Sequence, residues 1–173
     1  MKKEKKRGRK KGKKMSFPGY SNLFLESIIE SFPVKGQPMH VLSSDELLEA
    51  KKNIQGDFFA IVNTSRRGEV GTHFLSVIIL KTKLLILDPL AQYIFLNEDF
   101  RSFVNGFEGR ELCFLKQPVQ SIMSHKCALF SLYFLYLFSD EGENISFEPF
   151  VSDLNKNECI VSRNLARIFA HLS

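Results

Sequence analysis

The segment CALFSLYFLYLF (127–138) is apolar nearly all round, the pattern of a helix buried in the centre of a domain. Ser124 stands ahead of it as a cap, which puts Cys127 in the first helical turn. A thiol there feels the positive end of the helix dipole, and Lys126 adds a second positive charge beside it, so the reactive thiolate is favoured. A cysteine at the start of a buried helix is also a common small core residue, and its position alone leaves both readings open.

A thiol nucleophile needs a base, and His73 and Asp88 are placed to supply one. His73 opens an apolar run after a glycine-containing turn, and Asp88 closes the next run just before Pro89. With Lys81 and Thr82 as a two-residue hairpin turn, position 88 falls opposite 75 and diagonal to 73, roughly 7–8 Å between backbones. A carboxylate bonded to one imidazole nitrogen fixes the tautomer and leaves the other nitrogen to face a thiol, the relation a Cys-His-Asp nucleophilic site requires. Each residue has a plainer reading too, His73 as a polar strand end and Asp88 as a turn former before proline.

The elements that must position these residues follow from hydrophobic pattern. FFAIVNTS (58–65), HFLSVIIL (73–80), LLILDPL (84–90) and ELCFLKQ (111–117) are β-branched or Leu-rich runs of strand length, the first two separated by the polar turn SRRGEVGT. Upstream, Phe24, Ile28 and Ile29 recur at helical spacing over 20–31, Phe32 follows, and Pro33 blocks continuation. A loop with Gly36 and Pro38 comes next, then a helix in SSDELLEAKKN, with Ser43 or Ser44 as its cap and Leu47 and Leu48 facing inward. A short helix is expected over 99–104. The last helix lies in CIVSRNLARIFAHL (159–172), which places Ile160, Val161, Leu165, Ile168, Phe169 and Leu172 mostly on one face. Helices, then clustered strands, then helices argue for an α+β fold rather than a βαβ array.

A chain of 173 residues with 44% hydrophobic and 12% aromatic content supports one buried core, expected over 16–173. Its net charge of +5 is unevenly spread: residues 1–15 hold ten Lys/Arg and one Glu, a local +9, which leaves 14 basic and 18 acidic residues, or −4, for the rest. The basic residues Lys2, Lys3, Lys5, Lys6, Arg7, Arg9, Lys10, Lys11, Lys13 and Lys14 form a disordered arm suited to binding nucleic acid through counterion release; nuclear import and solubility are its other readings. Three cysteines, Cys113, Cys127 and Cys159, cannot pair completely, and separations of 14 and 32 residues match no zinc-ligand spacing, so no metal and a reducing compartment are expected. No apolar run reaches the ~20 residues of a membrane span, and residues 1–15 lack the apolar stretch of a secretory signal. A soluble, unsecreted protein with no membrane partner is the expectation.

The blocks around these residues resemble the adenovirus-type (adenain-like) cysteine endopeptidases, relatives of the proteases that process ubiquitin-like proteins. FAIVNTSRRGEVGTHF is similar to the family's strand, glycine turn and catalytic histidine, which maps that histidine onto His73. LLILDP resembles the end of the next strand and maps the triad acid onto Asp88. QPVQSIMSHKCALF is similar to the family's pattern of a Gln that stabilises the oxyanion followed by the nucleophile, giving Gln120 and Cys127. LARIFAHLS resembles its C-terminal helix. The blocks run from residue 58 to the C-terminus and keep the order His, acid, Gln, Cys, which is more specific than any one of them. Phe74 stands where the family usually has Trp, and Ala128 where it usually has Gly. The interval from His to acid is two residues shorter than in the adenovirus enzymes, and the acid is Asp, as in the ubiquitin-like-protein proteases. None of these departures removes a catalytic group, and Ala128 bears on substrate preference.

The resemblance implies a papain-like cysteine protease of the adenain type: a central, mostly antiparallel sheet flanked by helices, with the nucleophile at the N-terminus of a buried helix. It implies a monomer acting on capsid and core precursor proteins of a virus or virus-like element, cut after a small residue such as Gly during particle maturation in the host nucleus and virion. The chemistry requires no cofactor. An activating peptide and DNA are implied by the adenovirus enzymes, although Cys113 is not aligned with the cysteine that pairs with that peptide there. One rival is a processing or deconjugating protease for ubiquitin-like modifiers, disfavoured by the seven residues from Gln120 to Cys127 and by Lys126 and Ala128, where those enzymes usually carry Asp and Gly. A nucleic-acid-binding virion protein on an inactive protease fold is the other, and the basic arm favours it. The arm is separable from the −4 body, so deleting residues 1–14 is expected to weaken DNA binding strongly and flatten its salt dependence while leaving peptide cleavage nearly unchanged. Salt titrations of both chains check this, and an unchanged slope in the truncated chain assigns the arm to import instead.

Overall fold

The computed structural model describes residues 21–33, 36, 38–69, 73–92, 97–141 and 150–172. The basic arm of residues 1–15 lies outside them. The centre of the structure is a meander of β2 (Phe58–Asn63), β3 (Phe74–Ile79) and β4 (Lys83–Leu87). Every residue of β2 and β3 is buried, which is why they read as continuous apolar runs rather than alternating ones. Leu80 N–H donates to the Lys83 carbonyl at 2.9 Å, closing the expected two-residue turn. Pairing of Ser76 with Leu87 and Ile79 with Leu84 sets the expected register, in which position 75 lies opposite 88.

Side chains alternate across the sheet. Phe59, Ile61, Phe74, Ile78, Leu85 and Leu87 pack toward α1 (Asn22–Ser31), α4 (Cys127–Glu141) and α5 (Leu154–Leu172). On the opposite face, Ala60, Val62, Leu75, Val77 and Ile86 meet Leu47 of α2 (Leu47–Asn53) and Phe100 and Phe103 of α3 (Glu98–Val104). The result is a three-layer α+β arrangement. α4 lies against β3 and β2, and Ala128, Phe130, Leu132, Phe134 and Leu135 are fully buried around its circumference, as its all-apolar sequence requires.

Several local readings are corrected. The loop expected before residue 43 contains β1 (Met39–Ser43), which pairs parallel with β2, and β5 (Glu111–Phe114) pairs parallel with β4. The sheet is thus antiparallel at its centre and parallel at both edges. β1 is short and half-buried and gains its hydrogen bonds from a strand that local pattern does not specify. In α1 the buried pair is Leu25 and Ile29, and Phe24 is 47% exposed, because the helix turns a different edge to the core than the Phe24–Ile28 spacing suggests. Ser43 caps a single 3₁₀ turn (Ser44–Glu46), its backbone N–H bonded to the Glu46 carboxylate at 2.8 Å, and in the helix that follows Leu47 is buried while Leu48 is exposed. α5 starts earlier than expected, where the Asp153 carboxylate accepts from Asn155 N–H at 3.2 Å.

Two polar contacts lock α4 in place: Ser76 Oγ donates to the Ser131 carbonyl at 2.8 Å, and the Tyr136 hydroxyl donates to the Phe32 carbonyl at 2.7 Å. Burial pushes the Tyr136 phenol up to about 12. Tyr136→Phe leaves the Phe32 carbonyl without this donor and is expected to cost about 1–2 kcal/mol, read as a lower midpoint in urea unfolding.

Candidate active site

The β3–β4 register brings His73, just before β3, beside Asp88, just after β4. The His73 backbone is fixed by Thr64, whose N–H and hydroxyl both donate to its carbonyl, at 3.0 and 3.3 Å. Its Nε2 lies 2.7 Å from Asp88 Oδ1. Asp88 is only 4% exposed, and its carboxylate also accepts from Leu90 N–H at 2.8 Å and Gln92 N–H at 3.1 Å. The turn that supplies these donors places Ala91 at a φ of 49°, a left-handed conformation that an alanine adopts only under constraint.

Cys127 is buried and is the first residue of α4. Contrary to expectation, Ser124 does not cap the helix; the Lys126 carbonyl receives the first helical N–H groups, from Leu129 and Phe130, and Ser124 Oγ accepts from Lys126 N–H. This moves Cys127 to the very end of the helix, where the dipole acts on its thiol. The His73 ring is bonded to Asp88 and is coupled electrostatically to Cys127. With Nε2 taken by Asp88, Nδ1 is the nitrogen left for the thiol. Burial alone lowers the His73 pKa, but the bond to Asp88 and the coupling to Cys127 outweigh it and raise it to about 9.

Gln120 is 1% exposed and belongs to the same cluster. The Pro89 carbonyl accepts from both Val119 N–H (2.9 Å) and Gln120 N–H (3.1 Å), which ties the glutamine to the residue after Asp88. Gln120 Nε2 donates to the Ser124 carbonyl at 2.9 Å, and its Oε1 finds no partner among the described residues. A buried amide with an idle oxygen is a poor choice for stability.

The structure thus places His73 against Asp88, sets Cys127 at the start of α4, and ties Gln120 to Pro89, beside Asp88, and to Ser124, in the loop before Cys127. Two features were not legible in the sequence. Lys126 does not offer a free charge to the thiol, because its Nζ is paired with Glu158 at 2.9 Å. Asn157 is fully buried and donates to the Val119 carbonyl at 3.0 Å. Nothing in NECIVSRN (157–164) distinguishes Asn157 and Glu158 from polar residues on a solvated helix face. Cys113 sits half-buried in β5, where burial and then Glu111 push its thiol up. Cys159 is exposed, because α5 turns Val161 and Leu165 to the core.

No family model matches the chain, and no curated protein matches it in sequence. Solved structures do share its fold. HopZ1a in complex with IP6 superposes with a TM-score of 0.51 at 13% identity, over 69% of this chain and 44% of that one. ChlaDub1 from Chlamydia trachomatis gives a TM-score of 0.50 at 15% identity, over 86% of this chain and 74% of that one. The Chlamydia trachomatis effector Cdu1 bound to ubiquitin also gives 0.50 at 15% identity, over 86% and 75%. This chain thus spans less than half the length of HopZ1a. The likeness is one of fold.

Because the folded chain holds the His73 proton to higher pH than an unfolded one, the stabilisation from this contact is complete below about pH 6.5 and is lost as pH rises through about 9. Asp88→Asn removes the charge and leaves the desolvation, so the ring is expected to titrate at distinctly lower pH in that variant. Imidazole NMR titration of both proteins measures this directly, and an unshifted His73 in Asp88→Asn would contradict the assignment.

Proposed function

We propose that the chain is a cysteine-type endopeptidase that cleaves precursor proteins of a virus or virus-like element during particle maturation. The observation that carries this reading is the His73 ring held at 2.7 Å by a buried carboxylate and coupled electrostatically to a buried thiol at the start of an apolar helix. Cys127 sulfur, its proton held by His73, attacks a peptide carbonyl. His73 then protonates the leaving amine and, once neutral, takes a proton from the water that hydrolyses the thioester. Asp88 orients the ring and stabilises its charged form. The Gln120 amide and the backbone N–H of Cys127 hold the oxyanion, a donor worth about 3–4 kcal/mol in other acyl-transfer sites.

The viral substrate class is supported by the ordered blocks shared with the adenain-like endopeptidases and by the Gln120-to-Cys127 interval. On this reading the basic arm binds DNA through phosphates and confines enzyme and precursors to one polymer. Processing of ubiquitin-like modifiers is the second reading, favoured by the shared fold of Cdu1, solved bound to ubiquitin.

Cys127→Ala is expected to abolish peptide cleavage with the fold intact, and Gln120→Ala to lower kcat by about 10²–10³ with little change in KM. Gln117, exposed in the same QPVQ segment, is the control. Damage from Gln117→Ala rather than Gln120→Ala would overturn the oxyanion assignment. Mass spectrometry of precursors from the same genome and of ubiquitin-like proteins, each incubated with the chain, separates the two substrate classes.

A further inference from the structure

We propose that Asn157 and Glu158, at the start of α5, are positioning residues that hold both ends of loop 119–126 and thereby fix Gln120 relative to Cys127; the inference rests on the cysteine-protease reading. That loop joins the proposed oxyanion donor to the nucleophile, so its shape sets the distance between them. Hydrophobic burial does not hold its middle, since Ile122 is 77% and Met123 84% exposed. Its internal bonds are few and local: Ser124 N–H to the Ser121 carbonyl, Met123 N–H to Ser121 Oγ, Lys126 N–H to Ser124 Oγ, and the Gln120 amide to the Ser124 carbonyl.

The ties from α5 reach the two ends. Asn157 Nδ2 donates to the Val119 carbonyl at 3.0 Å and to the Val151 carbonyl at 2.9 Å, while its Oδ1 accepts from Val151 N–H at 2.8 Å. A polar side chain at a fully buried helix position is costly unless such bonds are made, and here the amide spends them on the loop and on the segment leading into α5. Glu158 pairs with Lys126 Nζ at 2.9 Å and interacts electrostatically with the Ser124 side chain. Burial raises its pKa, but these two partners outweigh that and hold the carboxyl below the usual range. Successive helical side chains diverge by about 100°, which lets two neighbouring residues of one helix grip two separate points of one loop. A shift of the loop by about 1 Å is enough to cost on the order of 10²-fold in turnover.

The test uses the full chain, a fluorogenic peptide amide with Gly-Gly before the scissile bond, and iodoacetamide. Glu158→Ala and Asn157→Leu are expected to lower kcat about 10–100-fold with KM within about two-fold. Alkylation of Cys127 by iodoacetamide should keep its rate, since substitution at that carbon builds no oxyanion. Glu158→Gln retains a hydrogen-bonding group at Ser124 and should recover most of the loss. Asn157 is buried and its variant is vulnerable to misfolding, so Glu158, which keeps 18% of its side chain exposed, carries the decision, with thermal unfolding as the fold check. A folded Glu158→Ala that cleaves as fast as the unaltered chain, or one that loses alkylation as much as cleavage, overturns the positioning role alone. An unaltered chain that cleaves no peptide at all overturns the protease reading, and this inference with it.

Discussion

A carboxylate with only 4% of its surface exposed must be satisfied by donors built around it, and the rest of the site is organised by how Asp88 is satisfied. Its donors are the His73 ring and two backbone N–H groups of the turn that follows it. That turn leaves the Pro89 carbonyl aimed at the next segment, where it receives the N–H groups of Val119 and Gln120. One buried charge therefore sets the imidazole on one side and the glutamine on the other. The left-handed Ala91 is the local cost of wrapping a backbone this tightly around it.

The thiol reaches this cluster through packing. α4 is apolar around its whole circumference and so has no preferred outer face; what fixes its rotation is the sheet beneath it, with Ser76 bonded to the Ser131 carbonyl and the Tyr136 hydroxyl bonded to Phe32. Those contacts lie one and two turns beyond Cys127 and hold the end of the helix against His73. The thiol at the helix end thus lies beside a ring whose proton Asp88 helps to hold.

The segment between Gln120 and Cys127 obeys a different constraint. It exposes its large apolar residues and is held by carbonyls, hydroxyls and one ion pair, so it is placed by directional bonds rather than by burial. Directional bonds define position more narrowly than apolar contact, at the expense of cohesion. That suits a loop whose job, on the protease reading, is to keep two donors at one point in space. The idle Gln120 oxygen fits the same view, as a group placed for chemistry at some cost to stability.

Much of this was legible in the sequence because it is local. A two-residue turn and a side-chain period of two put position 88 opposite 75 without any knowledge of the fold, and an all-apolar twelve-residue run made α4 the buried helix with a cysteine at its start. The ordered blocks marked His73, Asp88, Gln120 and Cys127 together. Non-local packing decided the rest. The parallel edge strand Met39–Ser43, the face that α1 turns inward, the pairing of Lys126 with Glu158 and the burial of Asn157 all depend on segments distant in the chain. Periodicity reports how a residue relates to its neighbours along the backbone. Which distant partner satisfies a buried amide or a strand edge is settled only when the layers close and water is excluded, as they do around the Asn157 amide and the His73–Asp88 pair.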